Sequence, residues 1–125
     1  MAVIDANIVL RYILDDHEEL SAKAADILEN QSVTLPIEAA CEVVYVLQKV
    51  YRVERSEIQR HLSELIHENL ITVDKPKVVL SALDYYAKTS FDFVDTLLWA
   101  YHVVEGQEVF TFDEKLHKHI QRASP

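Results

Sequence analysis

Apolar and polar positions fall along this chain in blocks that read as short strand, then helix. Ala2-Val3-Ile4 is apolar, partly β-branched and halted by Asp5, and Asn7 suits the N-cap of the apolar run Ile8 to Leu14. Asp15-Asp16 breaks that run. Glu18 to Glu29 follows with Leu20, Ala24, Ile27 and Leu28 on one helical face, and Val33-Thr34-Leu35 reads as a second strand closed by Pro36. Ile37 to Tyr51 carries apolar residues around most of its circumference, which predicts a helix buried in the core or against another chain. Ser56 is placed to cap a fourth helix reaching Asn69, with Ile58, Leu62, Leu65 and Ile66 on its apolar stripe.

The second half repeats the alternation. Leu70 to Val73 reads as a third strand, Asp74-Lys75-Pro76 as a turn, and Val79, Leu80, Leu83 and Tyr86 as one face of a helix. Asp92 is placed as the N-cap of the next helix, with Asp95 in its first turn, and Gly106 as the left-handed stop at its end. Val109 to Phe112 reads as a fourth strand with Asp113 at its end, and Lys115 to Gln121 as a last short helix. The pattern predicts an α/β domain.

Length adds that residues 1–125 form a single domain, since 125 residues of which 50% are hydrophobic bury one core and not two. No apolar run reaches the roughly 18 residues of a membrane span, and Met1 leads directly into the first strand, so no membrane association and a cytoplasmic location are expected. The single cysteine, Cys41, agrees with a reducing compartment and reads as a buried structural thiol. One glycine excludes a phosphate-binding glycine-rich loop, and the six histidines lack zinc-site spacing. A net charge of −9 argues against a basic nucleic-acid-binding module, although carboxylates gathered around a cation give an enzyme of nucleic acids the same sign.

Four of those acids have routes to one place. Asp5 and Asp113 stand at strand ends, where ligands of open α/β sheets collect; Asp95 lies in a helix's first turn, and Glu42 sits on the most apolar helix, where burial needs a compensating cation. Two carboxylates about 4 Å apart repel by roughly 4 kcal/mol at an effective dielectric of 20, so four of them need protons or a divalent metal. Oxygen-only ligands select Mg²⁺ or Mn²⁺, and Mg²⁺ keeps waters able to act as nucleophiles.

Val3-Ile4-Asp5-Ala6-Asn7-Ile8-Val9-Leu10-Arg11-Tyr12, Cys41-Glu42-Val43-Val44-Tyr45-Val46-Leu47, Asp92-Phe93-Val94-Asp95-Thr96-Leu97 and Thr111-Phe112-Asp113 resemble, in order and spacing, the PIN-domain ribonucleases, and more narrowly the VapC toxins of toxin–antitoxin pairs. The resemblance implies a three-layer α/β/α sandwich with a mainly parallel central sheet. It also implies an endoribonuclease dependent on Mg²⁺ or Mn²⁺, a homodimer, and a small antitoxin that blocks the site. Asp5, Glu42, Asp95 and Asp113 match the family's acidic quartet of catalytic metal ligands. Asn7 and Thr111 match polar residues that orient those ligands, and Asp92 has an acidic counterpart that reads chiefly as a cap.

Ala6 stands where relatives often carry a hydroxyl, and many relatives continue past the position of Pro125 into a further edge strand, so four strands are expected here, with a fifth left open. Arg11, Lys49, Arg52 and Lys115 are the candidate phosphate contacts, while Tyr45 and Trp99, at helical spacing, read as core. Two other readings remain: a PIN-like RNA-processing or interaction domain that is not a toxin or has lost catalysis, and a phosphoacceptor receiver domain. The receiver reading is weakened because Asp5 stands alone where that class has an acidic pair.

Overall fold

The computed structural model describes residues 1–123, and these fold into seven helices and a very small parallel sheet. β1 (Ala2–Val3) lies parallel to β2 (Val33–Thr34), with Ala2 opposite Val33 and Val3 opposite Thr34. Parallel neighbours require a crossover, and two helices supply it: α1 (Ala6–Leu14) and α2 (Glu18–Asn30). α3 (Ile37–Lys49) and α4 (Arg55–His67) then carry the chain to a third parallel segment, which meets β2 through a single bridge between Thr34 and Thr72.

The expected third strand is thus reduced to one residue. Leu70 and Ile71 donate their amides to the Leu65 carbonyl at the end of α4, which leaves Thr72 alone to exchange hydrogen bonds with Val33 and Leu35 at 2.9 Å each. Lys75, with φ of 51°, and Pro76 then turn the chain into α5 (Pro76–Lys88) as the sequence predicts. The expected fourth strand does not form among the described residues. Val109 to Phe112 runs without a ladder, Phe110 is 87% exposed and Phe112 fully so, and β1, whose Val3 is 70% exposed, is left as an open sheet edge. The chain is therefore an α/β domain of mostly helical content in which, among the described residues, two strands and not the expected four form the sheet.

Three other local expectations change. Asp5, and not Asn7, caps α1, because its carboxylate accepts from the Ile8 amide at 3.3 Å and the helix opens at Ala6. α4 begins at Arg55, one residue before the expected Ser56 cap, and no side chain caps it. α3 is not buried all round: Ala40, Val43, Val44 and Leu47 face inward, while Glu38, Glu42, Tyr45 and Lys49 form an exposed stripe at i, i+4, i+7 and i+11.

The main core gathers Ile4, Val9, Val33, Leu35, Val43, Leu47, Ile58, Ile71, Leu83 and Tyr86 around the sheet. A second, smaller core of Phe91, Leu116 and Ile120 attaches α7 (Glu114–Ala123) to α5 and to α6 (Phe93–Glu105). Gly106, with φ of 70°, closes α6 in the left-handed conformation expected of it. Among the described residues no helix is long and apolar enough to cross a membrane.

Candidate active site

Each acid of the expected quartet stands at a helix end or on a helix face, and two of them line different grooves, Asp5 one and Asp95 the other. Asp92 is the N-cap residue of α6 and Asp95 lies in that helix's first turn. Asp113 caps α7, accepting from the Leu116 amide at 2.9 Å, while its own amide donates to Thr111 Oγ1 at 3.1 Å. Asp95 titrates above the ordinary carboxylate range, first because partial burial disfavours its charge and then because Asp113 and Asp92 repel it. Asp113 and Asp92 are thus near enough to Asp95 to repel its charge. Among the described residues none of them is in an ion pair.

The groove holding Asp92 and Asp95 has a volume of about 190 Å³ and is walled by Cys41, Tyr45, Gln48 and Lys49 of α3 and by Val94. A lysine at the rim and a tyrosine that is 62% exposed make it a cleft with carboxylates on one wall and a cation and a flat apolar ring on the other. Tyr45 was expected in the core; it faces out because it lies on the polar stripe of α3. Trp99 does pack inward, stacked on Tyr85 with ring centroids 3.7 Å apart. Cys41 is half-buried with a thiol pushed up by burial and then by Glu38, the state of an unreactive thiol.

Asp5 lines a second groove of about 630 Å³ together with Ile4, Ile8, Pro36 and Glu38, beside the open edge of β1. Glu42 is exposed on α3 between the residues that line the two grooves, so the burial expected of it from its apolar neighbours does not occur. Glu38 was not singled out in the sequence. The signal was present in its i, i+4 spacing from Glu42, which puts both on one stripe. Asn7 is exposed at the start of α1 and makes no cap.

The four basic candidates separate similarly. Lys49 reaches the Asp92–Asp95 groove, and Arg52 is exposed in a left-handed turn after α3. Arg11 is engaged inside the fold, paired with Asp16 at 2.7 Å and bonded to the Tyr51 hydroxyl at 3.2 Å. Lys115 donates to Ser90 Oγ at 2.7 Å and lies over the Phe91 ring.

Carboxylate oxygens without cationic partners are the donor chemistry of a hard divalent ion. Among the described residues, however, no group of three or more His, Cys, Asp or Glu is arranged to hold one. Asp5 lines a different groove from Asp92 and Asp95.

A small parallel sheet with carboxylates at the helix ends beside it defines the class as an acid-lined α/β domain. Residues 2–121 match the PIN domain model, and the chain belongs to that family. PIN domains are in general nucleases that use divalent metal ions, which sets this chain's function as nuclease-type and removes the receiver reading. No curated relative and no solved structure matches the chain.

Proposed function

We propose that the chain is a Mg²⁺- or Mn²⁺-dependent endoribonuclease, the toxin of a VapBC-type pair, with Asp5, Glu42, Asp95 and Asp113 as its catalytic ligand set. The observation that carries this reading is the cleft in which Asp92 and Asp95 stand opposite Lys49, with Asp95 held above its ordinary pKa by burial and by Asp113 and Asp92. Asp5, Glu42, Asp95 and Asp113 would hold the divalent ion, which would supply Lewis-acid charge at the scissile phosphate. Lys49 neutralises a neighbouring phosphate, Tyr45 offers a face for a base, and Thr111 holds the Asp113 backbone in register.

The quartet closes when Val109 to Phe112 joins the open edge of β1 as a parallel strand. Asp5 follows β1 and Asp113 follows this segment, so the pairing sets the two carboxylates side by side at the same end of the sheet. The joining also takes Phe110 and Phe112 out of water. A protomer pairs with a second copy through the exposed apolar residues Val50 and Tyr51, and a small antitoxin covers the cleft; a solution mass of twice 14.4 kDa at micromolar concentration tests the pairing.

Asp5→Asn, Asp95→Asn and Asp113→Asn are each expected to lower Mg²⁺-dependent cleavage of RNA by at least about 100-fold, about 2.7 kcal/mol of transition-state stabilisation, without loss of the helical signal. Cleavage by the variants at the parent rate refutes the assignment. That no group of three or more acids among the described residues is arranged to hold a metal favours one second reading, a PIN-like interaction domain without catalysis. Absence of cleavage by the parent across RNAs in Mg²⁺ and Mn²⁺ decides for it.

A further inference from the structure

Asp92 occupies the N-cap of α6 but makes no side-chain cap hydrogen bond, unlike Asp5 and Asp113, which both cap their helices. The start of α6 is instead held from outside. Arg55, the first residue of α4, donates from Nη1 to the carbonyls of Tyr86 at 3.0 Å and Phe91 at 2.7 Å, and from Nη2 to that of Ser90 at 3.2 Å. Its guanidinium also lies 4.2 Å from the centre of the Tyr86 ring. On the other side Lys115 of α7 holds Ser90 Oγ and covers the ring of Phe91.

We propose that Arg55 is a positioning residue for the nuclease site: it fixes the Thr89–Asp92 loop, and through it sets Asp92 and Asp95 in their groove while leaving the Asp92 carboxylate free of its own helix. The Phe91 carbonyl belongs to the peptide unit that precedes Asp92, so a displacement there moves Asp92 directly. A rigid planar fork can hold three carbonyls from two turns at once; a lysine ammonium, a point charge on a flexible stem, cannot hold them in one plane. Tyr86 extends the brace, since its hydroxyl donates to Gln48 Oε1 at 2.5 Å and Gln48 lines the Asp92–Asp95 groove. Four elements are thereby tied around one loop: α3 through Gln48, α4 through Arg55, α5 through Tyr86 and α7 through Lys115. None of the Arg55 partners is a carboxylate, so its charge leaves those of Asp92 and Asp95 uncompensated for a cation.

This proposal rests on the nuclease reading, and the experiment separates the two. The full chain is compared with Arg55→Met, which keeps a flexible apolar stem over Tyr86, with Arg55→Lys, and with Arg60→Met, which removes only the surface pairs to Glu57 and Glu64 on the same helix. Backbone ¹⁵N order parameters at Ser90 to Thr96, the Mg²⁺ dissociation constant by calorimetry and the melting temperature are measured. In Arg55→Met the order parameters at Ser90 to Thr96 are expected to fall from about 0.85 towards 0.6, with Mg²⁺ bound at least about tenfold more weakly at a temperature where the variant is folded. Arg55→Lys recovers part of both, and Arg60→Met changes neither.

A folded Arg55→Met with a lowered melting temperature but unchanged order parameters, or with a loosened loop and parent Mg²⁺ affinity, overturns the positioning role. If Arg55→Met does not fold, the same two readouts on Arg55→Lys decide the question. If the parent binds no Mg²⁺ and cleaves no RNA, the nuclease reading fails. Unchanged order parameters then overturn the clamp, and a loosened loop upholds its hold on Asp92 alone.

Discussion

At the scale of single residues, Asp95 is a group whose environment works against the fold that holds it. Its folded-state pKa lies above the ordinary 3.8, through burial and then through Asp113 and Asp92. The folded chain therefore binds more protons than the unfolded one between 3.8 and that raised value, and this contribution to stability is lost as pH rises through the window. Asp95→Asn is accordingly expected to melt above the parent at pH 7 without divalent ions, and the gain is expected to fade as pH falls below about 4. A variant that melts below the parent at pH 7 contradicts this.

Asp95 was legible because an acid within a first helical turn has a local cause, the helix dipole and its orphan amides, whereas Asp113 was placed at the end of a strand that does not form among the described residues and caps α7 instead. Glu42 was legible as a residue and misjudged as an environment. Its neighbours Val43 and Val44 are buried, but only its place on the Glu38–Lys49 stripe decides which way it faces.

At the scale of elements, helices were read closely because 3.6-residue periodicity, caps and the single glycine are local signals, whereas strands depend on a partner elsewhere in the chain. Thr72 pairs and Leu70 does not because the end of α4 competes for the Leu70 amide. α7 shows how a helix can be held by few contacts. It docks through Leu116 and Ile120 on Phe91, and through His119, whose Nδ1 is hydrogen-bonded with the Tyr85 hydroxyl and whose ring meets Phe91 edge-on.

Burial, then Arg122 and Lys115, hold the His119 pKa below its ordinary 6.5. The unfolded chain thus binds more protons below 6.5, and stability is expected to fall as pH drops from there towards the folded-state value. His119→Gln, which keeps an acceptor for Tyr85, is expected to lose less melting temperature than the parent between pH 7 and pH 5. Trp99, the chain's only tryptophan, is stacked on Tyr85, so its fluorescence reports the loosening of α7. Equal slopes in parent and variant refute this contribution of His119.

At the scale of the whole molecule, two apolar features have the same remedy. β1 presents an open edge, and Phe110 and Phe112 stand in water two residues apart. Leaving a phenylalanine exposed forgoes roughly 1.5–3 kcal/mol of burial. In the proposed closure the metal recovers this energy, because an ion held by both Asp5 and Asp113 favours the form in which Val109 to Phe112 lies on β1. The coupling gives opposite outcomes for one substitution in two conditions. Phe112→Ala is expected to leave the metal-free melting temperature unchanged within about 0.5 kcal/mol, since a fully exposed ring packs on nothing. In Mg²⁺ at ten times its dissociation constant the parent is expected to gain roughly 1.4 kcal/mol, about 5 °C for a chain of this size. Phe112→Ala, lacking the ring that closure buries, is expected to bind Mg²⁺ at least about tenfold more weakly and to lose most of that gain, as is the Asp5→Asn, Asp113→Asn double variant. If Phe112→Ala instead lowers the metal-free melting temperature by several degrees, the segment is already packed in solution and the closing step is refuted.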